Sequence, residues 1–305
     1  MTDKQETNVA ALVKQQLRKL ARQRGEAFDF TLSRYGAERF LYRLSQSEYC
    51  DQFVLKGAVL FQLWAGEPHR ATRDIDLLGQ GEISVDRFHA MFEEICRVEV
   101  PDDGLRFVPE SIRAESIKEQ DEYQGIRVTL EAWLERSRVA IQVDIGFGDA
   151  IWPEATVTKY PTLLDQPASI LRAYPKETVV AEKYQAMVRL GIANSRMKDF
   201  YDLWTLARFF EFDGQTLATA IQATFLRRHT PLPPTSPLAL TTEFTEDANK
   251  LRQWAAFLQK GSVAHRNLTL LEVADCLKDF LLPPTEALIN EQPFSAKWST
   301  NNYWT

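Results

Sequence analysis

Two aspartates one residue apart, Asp74 and Asp76, stand in the otherwise apolar run RDIDLL. In an extended strand alternate side chains share a face, so both carboxylates project on one side while Ile75 and Leu77 occupy the other. Like charges this close repel, and a fold keeps them where they reach water, cations or a metal ion. Magnesium suits such a pair, because it takes one or two carboxylates and fills its shell with water and phosphate oxygens. A D-x-D triplet is also the polar side of many ordinary edge strands, so the neighbours must decide. Upstream, Gly57 opens the apolar stretch from Lys56 to Trp64, which reads as a helix whose first amides and positive dipole end suit a phosphate. A third acid, Asp144, lies on the polar side of VAIQVDIGF, with Asp149 in DIGFGD as its competitor. Three carboxylates on adjacent strands beside a phosphate-binding turn would hold the two metals of an in-line phosphoryl displacement.

The elements that must position these groups alternate. A helix at about 33–48 leads to the short apolar strand FVLKG, then the Gly57 helix, a strand at 72–78 and a helix at 84–97. Ile126, Val128 and Leu130 alternate with Arg127, Thr129 and Glu131, and Val139, Ile141, Val143 and Ile145 alternate with Ala140, Gln142 and Asp144. This period of two around the short ERSR predicts an antiparallel hairpin. The fold class expected is therefore α+β, a mixed sheet with flanking helices over residues 1–160, followed by a mainly helical domain over 161–305 that completes the cleft. YPTLLDQPASILRAYPKE reads as a proline-punctuated crossing. Beyond it helices are predicted at 176–192, 195–210, 214–228, 244–260 and 269–281. Four prolines within seven residues hold the loop PLPPTSP extended. The aromatic tail FSAKWSTNNYWT is compatible with disorder, packing back or a partner contact.

In the second half, Val180, Lys183, Tyr184 and Met187 share a helix face, which places Lys183 at the edge of an apolar stripe, able to snorkel toward a cleft. On the next helix, with Asn194 or Ser195 as its cap, Arg196, Asp199, Leu203 and Leu206 line up. Ordinary helix pairs, Asp199 with Arg196 and Lys198 with Asp202, explain these charges as well as a site does.

Composition narrows the class. The chain has 305 residues, 45% hydrophobic, and a formal net charge of -6, which argues against a surface that is nucleic-acid footprint throughout and leaves room for a local basic groove. Cys50, Cys96 and Cys276 show neither zinc nor disulfide spacing. No stretch approaches a membrane span and the start MTDKQETNVAALVKQQLRKLARQRGE has no apolar signal core, so a cytoplasmic protein is expected. The basic side of that N-terminal amphipathic helix, and FLRRHT at 225–230, are the expected RNA-facing surfaces.

The ordered motifs KG, RATRDID, VDIG, and EK followed by SRMKDFYDL, over residues 53–204, resemble the AbiEii-type nucleotidyltransferase toxins of the polymerase-β-like superfamily. The resemblance implies transfer of a nucleotide from an NTP, with Mg²⁺ or Mn²⁺, to an acceptor hydroxyl. The implied acceptor is RNA such as a tRNA 3′ end. It implies the toxin of a toxin–antitoxin or phage-defence system, with a cognate antitoxin encoded nearby. By position it places the metal pair at Asp74 and Asp76, Gly57 with Ala58 in the phosphate-binding turn, and Lys183 and Asp199 as the distal pair. Lys56, Arg70 and Arg196 fall on further motif positions. Asp144 completes the expected metal set. The family usually has a second glycine or a serine, then often a hydroxyl residue, where this chain has Ala58 and Val59. Two alternatives follow: a nucleotide- or partner-binding module of the same fold with little turnover, or transfer to a protein or small-molecule hydroxyl. His69 reads as a solvated bystander.

Overall fold

The computed structural model describes residues 8–66, 69–119, 123–261 and 263–305; at 118, 119, 123 and 124 it describes the backbone alone. The first seven residues of the N-terminal helix expected from sequence lie outside the described residues. The chain divides into two units. The first runs to Pro68 and includes Thr72–Gly148 and Val157–Ala173; the second comprises His69–Ala71, Asp149–Thr156 and Tyr174–Thr305.

In the first unit, α1 (Val9–Arg24) and α2 (Phe28–Gln46) precede β1 (Phe53–Lys56), a six-residue α3 (Leu60–Ala65), β2 (Asp74–Gly79) and α4 (Val85–Cys96). Three long strands follow, β3 (Leu105–Glu119), β4 (Tyr123–Leu134) and β5 (Ser137–Phe147), then the short β6 (Thr156–Lys159) and β7 (Ile170–Ala173). Together they form one mixed sheet of seven strands in the order β3-β4-β5-β2-β1-β7-β6. β1 runs antiparallel to β2, and β2 parallel to β5. The expected hairpin is present as β4 and β5, in register from Ile126↔Ile145 to Leu134↔Ser137.

The two faces of this sheet differ as the alternation requires. Ile126, Val128, Leu130, Val139, Val143 and Ile145 are buried to 3% exposure or less, on the face against which α2 and α4 pack. Burying a large aliphatic side chain of this kind contributes about 1.5–3 kcal/mol, so the alternating residues pin the register: a slip by one would expose all of them. Arg127, Thr129, Gln142 and Asp144 occupy the other, half-exposed face.

Two elements of this unit differ from the sequence expectation. β3 was not foreseen, because its alternation is broken by a register shift between Val108 and Arg113 around Pro109, where a bulge lets the strand resume on the same ladder. The proline-punctuated crossing contains β7, which pairs parallel with β1 at Leu55↔Ala173.

The second unit contains α5 (Lys176–Leu190), α6 (Met197–Phe209), β8 (Phe212–Asp213), α7 (Gly214–Arg227), α8 (Thr242–Thr245), α9 (Ala248–Lys260), α10 (Leu270–Ile289) and β9 (Lys297–Trp298). α10 runs through Pro283 and Pro284 rather than stopping before them. Those prolines remove the amides that would bond the carbonyls of Asp279 and Phe280. The indole N–H of Trp304 donates to both carbonyls, at 3.1 and 3.2 Å. The C-terminal tail therefore packs back: β9 pairs with β8, and buried Trp298 donates its indole N–H to the Ala207 carbonyl at 2.6 Å.

Candidate active site

The acidic group is built by the register of the first unit's sheet. Asp76 stands opposite Lys56 on β1 and opposite Asp144 on β5; Asp144 in turn stands opposite Arg127 on β4, and Arg127 opposite Glu115 on β3. In-register neighbours share a face, so Lys56, Asp76, Asp144, Arg127 and Glu115 form one charged row across five strands. Asp74 heads a second row that continues through Gln142, Thr129 and Arg113. Asp74 is exposed, Asp76 half-buried and Lys56 buried.

Gly57 follows β1 with φ +78°, and a β-carbon built on it would fall 1.9 Å from Oδ2 of Asp76. The glycine is required twice, for its left-handed backbone and for the space the carboxylate fills. Buried Ala58 and Val59 follow it, and their carbonyl region leads into α3 through a bond from the Phe61 amide to the Ala58 carbonyl at 3.3 Å. The helix is thus a short one that starts at Leu60, after the turn rather than within it.

The chemistry of Asp74 and Asp76, hard oxygen donors on one face with at least one open to solvent, fits a divalent cation such as Mg²⁺. Asp144 is differently engaged. Arg127 binds both its oxygens in a fork, Nε to Oδ1 and Nη2 to Oδ2, each at 2.8 Å, and the Gln142 amide donates to both at 3.2 Å. This contact with Asp144 raises the Arg127 pKa. Among the described residues no group of three His, Cys, Asp or Glu side chains is placed to hold a metal ion. Asp149, the competitor for the third position, belongs to the second unit, where Arg228 binds it at 2.8 Å.

The distal residues form a charged cluster inside the second unit. The ammonium of Lys183 on α5 bonds Asp199 at 2.6 Å and Asp202 at 2.8 Å, both on α6. Arg196 pairs with Asp199 at 2.5 Å, one turn along. Arg70 closes a fork on Asp202, Nε to Oδ1 at 2.6 Å and Nη2 to Oδ2 at 2.8 Å, and His69 Nε2 meets the same Oδ1 at 2.6 Å. Burial opposes the charge on Asp202, yet Arg70, Lys183 and His69 hold its pKa well below the carboxylate range. Burial likewise opposes the charge on Asp199, which Lys183 and Arg196 overcome. Desolvation disfavours charged Lys183, but the two aspartates raise its pKa. Burial lowers the pKa of His69 against the pull of Asp202, and its Nε2–H donates to Oδ1.

Asp202 is therefore a hub, bound by Arg70, His69 and Lys183, where the sequence pattern had offered Lys198 as its partner. His69 is buried in the cluster rather than solvated. The partners of Asp202 lie up to 133 residues away in the chain, beyond the reach of helix-spacing rules. Asn194 and Ser195 do not cap α6; Arg196 holds the cap position, and the Asn194 side chain accepts from its amide. Arg228, expected to face RNA, instead turns inward to Asp149 and Gln185.

Comparison with known proteins agrees with these motifs. A model of the family described as Nucleotidyl transferase AbiEii toxin, Type IV TA system, matches residues 39–279. The solved structure of JHP933 from Helicobacter pylori is similar at 16% identity, covering 83% of this chain and 90% of that one, with a TM-score of 0.47. A candidate nucleotidyltransferase from H. pylori is similar at 16% identity, covering 84% of this chain and 95% of that one, with a TM-score of 0.48. No curated protein matches the chain. Among the described residues no helix is long and apolar enough to cross a membrane.

Proposed function

The chain belongs to the AbiEii nucleotidyl transferase toxin family, and we propose that it transfers a nucleoside monophosphate from an NTP to an RNA hydroxyl, such as a tRNA 3′ end. The observation that carries this reading is the row in which Asp76 stands in register with Asp144, beside Asp74 and against the side-chain-free Gly57. In the proposed reaction the acceptor oxygen bonds to the α-phosphorus, the bond to the β-phosphate oxygen breaks, and pyrophosphate leaves.

Asp74 and Asp76 would hold a divalent cation, which would supply neutralisation of the charge developing on the phosphates. Asp144 takes the proton of the attacking hydroxyl, kept in orientation by Arg127 and Gln142. Lys183 and Arg196, with Arg70, set three positive charges against the two carboxylates of Asp199 and Asp202. That surplus favours phosphate. Asp199 and Asp202 act by fixing these cations.

We assign the protein the toxin role with a cognate antitoxin as its partner, in keeping with the family's type IV toxin–antitoxin description. The test is incubation of the purified protein with each labelled NTP, total tRNA and Mg²⁺. Label is expected in the RNA fraction, and an Asp76→Asn protein that labels equally well would refute the mechanism. A second reading, nucleotide binding without turnover, draws on the Arg127 fork that occupies Asp144. It predicts calorimetric NTP binding with no labelled product in any acceptor fraction.

A further inference from the structure

The face that carries Asp74 continues beyond the acids as a groove of about 540 Å³ within the first unit, its lining including Arg73, Asp74, Ser111, Arg113, Thr129 and Gln142. We infer that this groove seats a single-stranded polynucleotide acceptor, with its reactive end at Asp74. The inference rests on the nucleotidyl-transfer reading for the acceptor's role, while the binding itself is measured separately.

Position comes from register. Asp74, Gln142, Thr129 and Arg113 are consecutive partners across β2, β5, β4 and β3. Three strand spacings make this row about 14 Å long, the span of a polymer segment rather than of one small hydroxyl compound. The floor thus leads directly away from the residue proposed to hold the metal.

Charge and hydrogen-bonding groups define the occupant. Arg138 and Glu131, also in the lining, neutralise each other at 2.5 Å. Arg73 is exposed and makes no hydrogen bond or ion pair among the described residues. The Arg113 guanidinium donates only to backbone carbonyls, those of Glu110 and Ile112, at 3.3 and 2.9 Å. Two arginines without a carboxylate partner therefore face one aspartate, on a chain whose overall charge is -6. Such a local basic stretch matches a phosphate backbone. The Thr129 hydroxyl and the Gln142 side-chain carbonyl, whose amide is held by Asp144, add groups suited to ribose hydroxyls. Among the described residues no aromatic side chain lines the groove, so its grip is on the backbone rather than by stacking on bases.

The test is fluorescence anisotropy with a short fluorescein-labelled single-stranded oligoribonucleotide, titrated with the full-length protein over a range of salt. An Arg73→Glu/Arg113→Glu protein is expected to bind about tenfold or more weakly, and its plot of log affinity against log salt to flatten by about 1.4, as for two lost phosphate contacts. An Arg73→Gln/Arg113→Gln protein should lie between it and the wild type, and calorimetric NTP affinity and the thermal midpoint should stay unchanged in both. Unchanged oligonucleotide affinity in both variants, absence of binding by the wild type, or equal competition by polyglutamate would overturn the inference. If RNA is labelled at wild-type rate by the charge-reversed protein, the groove fails and the transferase reading stands. If the arginines govern binding but no nucleotide is ever transferred, the groove stands and the transferase reading fails.

Discussion

Gly57 and Asp76 share one space: a methyl group on the glycine would lie 1.9 Å from the carboxylate oxygen and 2.6 Å from its carbon. The metal-binding acid proposed on β2 can adopt its rotamer only because the residue that follows β1 has no side chain. The first prediction follows. Gly57→Ala forces the Asp76 carboxylate aside and strains a backbone at φ +78°, a cost of about 1–2 kcal/mol for the backbone alone. Nucleotidyl transfer should fall to the level of Asp76→Ala, while the thermal midpoint drops by only a few degrees. Transfer at half the wild-type rate or better would show that Asp76 has no fixed position to lose.

The fork of Arg127 on Asp144 makes a prediction of opposite sign. Both side chains remain partly exposed, 35% and 20%, so the pair contributes at most about 1 kcal/mol. Arg127→Gln removes a cation that competes for the third carboxylate. Mn²⁺ binding, measured by calorimetry in the absence of nucleotide, should tighten by up to about fivefold. Transfer should slow, because Asp144 loses the group that orients it. Weaker Mn²⁺ binding in this variant would place Asp144 outside the cation site.

These two relationships also show what the sequence could and could not reveal. Asp74, Asp76 and Asp144 were legible because strand alternation assigns a side chain to a face, and β4 and β5 were legible for the same reason. The identity of partners was not. Register decides that Asp144 meets Arg127 and Asp76, and only the fold shows that the Asp76 carboxylate fills the space beside Gly57. β3 was hidden by a bulge, and the final turns of α10 by two prolines whose carbonyls a distant tryptophan satisfies. The partners of Asp202 were out of reach because spacing rules describe one helix, whereas its ligands come from α5 and from His69–Ala71.

The Asp202 hub is predicted to be structural in its first effect. Asp202→Asn leaves Arg70 and Lys183 buried against an uncharged amide, and breaking a buried pair in this way costs about 3–5 kcal/mol. Chemical denaturation followed by tryptophan fluorescence should show the loss in the transition of the second unit. Lys183→Met removes one cation between two carboxylates and should destabilise that same transition. A change below about 1 kcal/mol in both variants would mean that the cluster is open to water.

The pH response should differ between the two units. Burial lowers the His69 pKa from 6.5, so the folded state refuses a proton that the unfolded chain accepts. Stability of the second unit therefore falls as pH drops below about 6.5, and falls further as the pH approaches the lowered values of Asp199 and Asp202. In the first unit, burial raises the Glu38 pKa from 4.5 to about 7. Its folded state takes up a proton first, so that contribution grows as pH falls from 7 to 4.5. Urea midpoints of the two transitions measured between these limits should move apart, and His69→Gln should remove the upper part of the second unit's loss. Parallel movement of both midpoints would contradict the assigned burial of Glu38 and His69.

The last prediction concerns the C-terminal tail. Pro283 and Pro284 leave the carbonyls of Asp279 and Phe280 without their helical donors, and one indole N–H serves both. The same ring stacks on Phe280 at 6.0 Å and meets Phe294 edge-on at 4.8 Å. Trp304→Phe keeps most of the apolar contact and removes the donor, which should cost about 1–2 kcal/mol of the second unit's stability. Deletion of residues 297–305 also removes β9 and the buried Trp298, and should cost more. Replacing both prolines by alanine in the Trp304→Phe background restores the two helical amides. That triple variant should regain the stability lost to the single one, as read from its denaturation midpoint. If it does not, the indole contributes through packing alone and the carbonyls are satisfied by water.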